Sequence, residues 1–169
     1  ASSSSESLVS PAAWMDREAF PFRSRFLEIA PGRRVHYIDE GQGDVLLFVH
    51  GTPTWSFEWR HAIRVLSRTH RCVAMDNLGF GLSDKPRDHV YSLFDQADLA
   101  EAMAARLDSR HVMLVAHDMG TSVATELLAR DIEGRLPFQL SSVLLLNGSM
   151  VIERNLARAL DATVELEFD

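Results

Sequence analysis

Basic residues, cysteine and long apolar runs are all scarce in this chain. It carries 17 Lys and Arg against 24 Asp and Glu, for a formal net charge of −7. That balance argues against nucleic acid and against acidic membrane surfaces as partners, because both are bound through clustered cations. The local pairs Arg23/Arg25 and Arg33/Arg34 read as solvated surface. A single cysteine, Cys72, excludes an internal disulfide, and its apolar neighbours read as those of a core thiol. This usage fits a reducing compartment, so a cytoplasmic location is expected. No apolar run reaches the ~18 residues that suggest a membrane span. The serine-rich start lacks the charged-then-apolar build of a secretory leader, and residues 1–24 read as an N-terminal arm. His61, His70 and Cys72 lack the spacing of metal ligands; neither a metal nor a cofactor is expected. Gly79-Phe80-Gly81 opens like a dinucleotide fingerprint, but the third glycine would fall at Asp84.

What is present is enough for one folded domain: 169 residues, 46% of them hydrophobic. Arg25–Ile29 and Arg34–Asp39 alternate around Pro31-Gly32 and predict an antiparallel hairpin. Val45–Val49 is a short continuous apolar run, as a strand buried on both faces should be; Cys72–Met75 reads as the next strand, and Val112–Ala116 and Val143–Leu146 read as buried strands. Helices are predicted between them. One is capped by Ser56 and carries Trp59, Ile63 and Leu66; another starts at the Ser92/Asp95 capping box and carries Leu99, Met103 and Leu107; a third spans Thr121–Arg130. Leu156–Leu160 reads as helical and Val164–Phe168 as a weak strand. Strands alternating with helices predict an α/β fold with a mostly parallel sheet and helices on both faces. In such sheets ligands bind at the carboxyl ends of the strands. His50-Gly51-Thr52, Asp76 and Asp118 all fall there.

The central stretch is Ala116-His117-Asp118-Met119-Gly120, between a buried strand and a helix. Its small-x-acid-x-Gly spacing is that of a nucleophile elbow with aspartate at the apex, where the small flanking residues let helix and strand close. A carboxylate is ionised at neutral pH and needs no base to attack. Attack on an acyl carbonyl would give an anhydride, whereas attack on a saturated carbon gives an ordinary ester. Asp118 therefore points to alkyl electrophiles such as an epoxide or a haloalkane.

Three motifs occur in order: His50-Gly51-Thr52-Pro53-Thr54-Trp55-Ser56, Asp76 to Pro86 (DNLGFGLSDKP), and His117-Asp118-Met119-Gly120. Together they resemble the α/β-hydrolase fold in its branch of haloalkane dehalogenases and epoxide hydrolases. Glu126–Arg130 and Asn147-Gly148 are similar to the mesoderm-specific-transcript-like members of that branch. The resemblance implies Asp118 as nucleophile and the backbone amides of Thr52 and Met119 as an oxyanion hole. It implies His50, Gly51, Pro53, Trp55, His117, Gly120 and Asn147 as residues that shape the site, and a small apolar substrate.

Two departures accompany the resemblance. Dehalogenases of this branch carry Trp after the nucleophile and Asn or Glu after the His-Gly, both holding the leaving halide; here those positions are Met119 and Thr52. The family also places its triad acid and histidine on strands beyond a cap domain. None of the seven histidines of this chain follows the elbow. The expectation is thus an N-terminal half: an α/β core over 25–150 lacking the last strands, with 151–169 as the start of a cap region or a truncated end. The acid and histidine would come from a missing C-terminal half or a second polypeptide. A binding or scaffold relative that has lost the histidine is the alternative.

Overall fold

The computed structural model describes residues 15–148. The expected helix at 156–160 and strand at 164–168 lie outside the described residues, as does the serine-rich start of the arm.

A six-stranded sheet forms the centre, with strand order β1-β2-β4-β3-β5-β6. Its strands are β1 (Arg25–Ala30), β2 (Arg33–Glu40), β3 (Val45–Val49), β4 (Arg71–Met75), β5 (His111–His117) and β6 (Gln139–Leu146). The hairpin β1–β2 and the pair β2–β4 are antiparallel. β4, β3, β5 and β6 run parallel. The helices are α1 (Arg60–Leu66), entered through a 3-10 turn at Ser56–Trp59, α2 (Leu93–Ala104) and α3 (Met119–Ile132).

Why this order arises follows from the strands themselves. Each central strand is apolar on both faces, so each must be covered twice. On β3, Val45, Leu47 and Val49 face one core with Ala97, Leu99 and Met103 of α2 and Val123 and Leu127 of α3. Leu46 and Phe48 face a second core with Trp59 of the 3-10 turn and Ile63 of α1. The helices therefore lie on both faces, as the pattern predicts. Met15, Phe20 and Phe22, in the segment assigned to the arm, are buried in that second core, so at least residues 15–24 pack on the domain.

The crossover from β3 leads to β4 on one side, and the crossover from β4 leads past β3 to β5 on the other. Crossovers of one hand running in opposite directions put their helices on opposite faces. A crevice opens where the direction reverses, outside the carboxyl ends of β3 and β5. The loop after β3 begins with His50-Gly51-Thr52, and the turn after β5 is Asp118.

Two local expectations need correction. Ser56 does not cap α1: Trp55 holds the N-cap position of the 3-10 turn, which carries no side-chain cap. The amide of Ser56 donates instead to Asp76 Oδ1 at 2.8 Å, so the carboxylate that fixes this turn comes from another loop. Val143–Leu146 is a strand but not a buried one. β6 is an outer strand of the described sheet, and Leu144 is 53% exposed. The capping box of α2 is as predicted: Ser92 Oγ accepts from the Asp95 amide, and the Asp95 carboxylate accepts from the Ser92 amide. No described helix is long and apolar enough to cross a membrane.

Candidate active site

Asp118 directly follows β5 with φ 52° and ψ −121°, a positive-φ conformation that costs a non-glycine residue roughly 1–3 kcal/mol. The bend exists because α3 turns back onto the sheet within one residue. Its side chain makes no capping bond into α3, although aspartate is a favoured cap. Instead Oδ1 accepts the Thr52 amide at 2.8 Å, across 66 positions of chain. The amides of Thr52 and Met119 hold this carboxyl below the usual carboxylate range, so it is ionised at neutral pH. The backbone closes the turn independently: the Thr121 amide donates to Asp118 O, and the Asp118 amide to Leu146 O, each at 3.0 Å.

Glycine is required at two points around this bend. A Cβ on Gly120 would stand 2.4 Å from the Val49 carbonyl oxygen and 2.9 Å from that of His50. A Cβ on Gly51 would stand 2.4 Å from Asp118 Cβ. In both places the two loops approach with no room for a methyl group. Gly120→Ala is expected to lower stability by about 2–3 kcal/mol, since backbone rather than a mobile side chain must yield. A thermal melt should read this as a fall of roughly 4–12 °C.

His50 lies beneath the loop, fully buried. Its Nε2 accepts the Asn77 amide at 2.9 Å, so the ring proton sits on Nδ1 and donates to the Gly51 carbonyl at 2.8 Å. Burial pushes this imidazole below its ordinary pKa, against the opposing pull of the Gly51 carbonyl. With both nitrogens engaged, His50 holds the shape of the loop. His117 continues the α1-facing side of β5. Its Nδ1 is 3.3 Å from Glu58 Oε1, and its ring meets Trp59 edge-on. Trp55 stacks on Phe57, with centroids 5.5 Å apart, and contacts Phe20. Thr52 Oγ1 donates to Met119 Sδ at 3.2 Å. The Thr52–Pro53 peptide is cis, and Asn147 lies exposed just past β6 at φ 50°.

A second polar line, which sequence reasoning did not find, lies beside this loop. Ser24 Oγ is 3.0 Å from His36 Nε2, and His36 Nδ1 is 2.9 Å from Asp76 Oδ2. The order is that of a hydrolytic triad, but Ser24, His36 and Asp76 are 7%, 0% and 0% exposed, so no substrate reaches the hydroxyl. Asp76 also accepts the amides of Ser56 and Leu82 at 2.8 Å. Burial alone would raise its pKa; the His36 hydrogen bond and charge, with those donors, outweigh burial and hold it below the usual range. The line ties the 15–24 segment, β2, the 3-10 turn and the 76–86 loop together. Asp76 thus organises loops.

Residues 44–168 match the family model described as the alpha/beta hydrolase fold. The chain belongs to that family. Among its curated α/β-hydrolase relatives, the putative hydrolase LipZ of Mycobacterium tuberculosis is 50% identical over 132 residues, 77% of this chain and 45% of LipZ. A cis-3-alkyl-4-alkyloxetan-2-one decarboxylase of Shewanella oneidensis is 41% identical over 113 residues, 65% of this chain and 35% of the enzyme. The human mesoderm-specific transcript homolog protein is 41% identical over 132 residues, 72% of this chain and 39% of that protein. Solved structures include the haloalkane dehalogenase DatA of Agrobacterium tumefaciens, with TM-score 0.64 and 32% identity, covering 75% of this chain and 41% of DatA. A Vigna radiata epoxide hydrolase mutant has TM-score 0.69 and 30% identity, covering 79% of this chain and 41% of the enzyme. The chain is therefore similar to haloalkane dehalogenases and epoxide hydrolases, and it spans less than half the length of the curated relatives named here.

For this α/β-hydrolase, the structure brings Asp118, Met119, Gly120, Gly51 and Thr52 to one point on the rim. His50 lies directly below, and His117 lies beside the point but faces α1. Trp55 stands with the aromatic side chains of the second core.

Proposed function

We propose that this chain supplies the nucleophilic part of a hydrolase that attacks a saturated carbon with Asp118. What supports this reading most is the placement of the Asp118 carboxylate. It is ionised, it projects from a strained turn, and it is held by the Thr52 amide of another loop and by the Met119 amide, with no side-chain cap on α3. In the first step a carboxylate oxygen bonds to the electrophilic carbon. The carbon–oxygen bond of an epoxide, or a carbon–halogen bond, breaks with the electron pair leaving on the heteroatom. An epoxide alkoxide then takes a proton from water. The product is an alkyl ester on Asp118. Water must next attack the ester carbonyl, and the Thr52 and Met119 amides are suited to hold the oxyanion that forms there.

Thr52 and Met119 offer an alcohol and a thioether where the resemblance would put halide-gripping donors, which favours the epoxide over the haloalkane. The substrate is a small apolar molecule. The base that activates water is placed outside residues 15–148 or on a second polypeptide: both ring nitrogens of His50 are held, by Gly51 and Asn77, and His117 is turned toward Glu58 on the α1 side.

Intact-mass and peptide mass spectrometry test the reading. A chain incubated with a small terminal epoxide is expected to gain the full mass of the epoxide, localised to the peptide that contains Asp118. A stable adduct means a working nucleophile without its base. Diol formation without an adduct means the base is present. If neither epoxide nor haloalkane modifies the chain or turns over, the proposal fails and a binding relative takes its place.

A further inference from the structure

Glu58 is a carboxylate beside the candidate site that the mechanism above does not use. It sits in the 3-10 turn after the loop of His50-Gly51-Thr52, with a side chain only 16% exposed. One of its oxygens, Oε2, takes the Thr54 hydroxyl. That hydroxyl is also 2.9 Å from the Gly51 carbonyl oxygen, but it has one proton to give. The Gly51 carbonyl already accepts two N–H groups, Nδ1 of His50 at 2.8 Å and the Thr54 amide at 3.0 Å. The hydroxyl proton therefore goes to Glu58. The other oxygen, Oε1, is buried and makes no well-aligned hydrogen bond; the group it faces is His117 Nδ1 at 3.3 Å. His117 immediately precedes Asp118. Glu58 thus touches both loops of the crevice: through Thr54 the one that carries the Thr52 amide, and through His117 the one that carries Asp118 and the Met119 amide.

We propose that Glu58 is a positioning residue, fastening the loop at Thr54 to the elbow at His117 so that the Thr52 and Met119 amides converge on the Asp118 carboxylate. The proposal rests on the function proposed above for its chemical readout. It has a second readout that does not. Loss of the fastening lets the two loops separate, and a misplacement of about 1 Å costs reactions at preorganised sites up to about 100-fold.

The rate of Asp118 alkylation by a terminal epoxide, as a function of epoxide concentration, is compared in the 169-residue chain and in Glu58→Ala and Glu58→Gln. Alanine removes both ends of the fastening. Glutamine keeps them, its amide oxygen accepting from His117 and its NH2 donating to Thr54 Oγ1. The saturating rate is expected to fall about 10- to 100-fold in Glu58→Ala, with half-saturation within about 3-fold, and to return to within about 3-fold in Glu58→Gln. Amide hydrogen exchange on the same proteins is expected to quicken at Thr52 and Met119 in the alanine variant, while β3 and β5 interior amides keep their protection. An alanine variant that alkylates and exchanges like the parent overturns the proposal, as does a glutamine variant no better than alanine. Should the parent form neither adduct nor diol, the proposed function fails by itself, and exchange alone decides the role of Glu58. Faster exchange at Thr52 and Met119 then upholds it, and unchanged exchange overturns it.

Discussion

Asp118→Asn is expected to lower epoxide turnover by the intact protein about 10⁴-fold or more, the range seen when a covalent nucleophile is removed. The amide has nearly the same shape, and its oxygen can still accept the Thr52 amide that now meets Oδ1 at 2.8 Å. What it lacks is the negative charge and the nucleophilicity of a carboxylate. The loss should therefore fall on the chemical step, with the thermal melt close to that of the parent. Product formation by gas chromatography, with the Asp118 adduct followed by mass spectrometry, separates the outcomes. Ester or lactone hydrolysis that survives Asp118→Asn would reject attack by this carboxylate.

Asp76→Asn is expected to destabilise the fold by about 3–5 kcal/mol, the cost of breaking one partner out of a buried charged network. In the parent every group around Asp76 is a donor: the Ser56 and Leu82 amides and His36 Nδ1. An asparagine must turn its own NH2 toward one of them. The pH dependence carries a second signature. The Asp76 pKa in the folded state lies below its ordinary 3.8. Its contribution is therefore complete above that value and is lost as pH falls through the folded-state pKa. The His50 pKa is also lowered, from an ordinary 6.5, because burial favours the neutral ring. The unfolded chain then binds the proton first, so stability begins to fall below about pH 6.5. Urea melts across pH 8 to 3 should show both declines in the parent. Asp76→Asn should keep the upper decline and flatten the lower one. A variant as stable as the parent at neutral pH would contradict the role given to this network.

Central strands were legible because burial on both faces leaves continuous apolar runs, and Val45–Val49 matches β3 to the residue. The start of α2 was legible because a capping box is written within four residues. The elbow was legible because its steric demands select small residues at fixed offsets from the acid. Pairings across distant parts of the chain were not legible. Ser24, His36 and Asp76 come from three separate segments, and a histidine on an alternating strand carries no sign of its partner. Glu58 was hidden for the same reason: of its neighbours, Thr54 lies four positions away but His117 lies 59 positions along the chain. The burial of β6 was overread, because apolar composition does not say whether a strand is central. Ser56 was misread as a cap because its local signal is the same whether the hydroxyl or the amide is used.

The reversal of direction at β3 also governs how the rim comes into being during folding. Val45 pairs with Val112, so β3 and β5 meet only after the whole intervening stretch with β4 and α2 has been looped out. Contacts of such high contact order form slowly. A chain arrested after β4 would hold the Gly51 loop but would have nothing for the Thr52 N–H to bind. Slow deuterium uptake at that amide is therefore a stamp of completed assembly, and pulse labelling during refolding can date the moment the crevice closes.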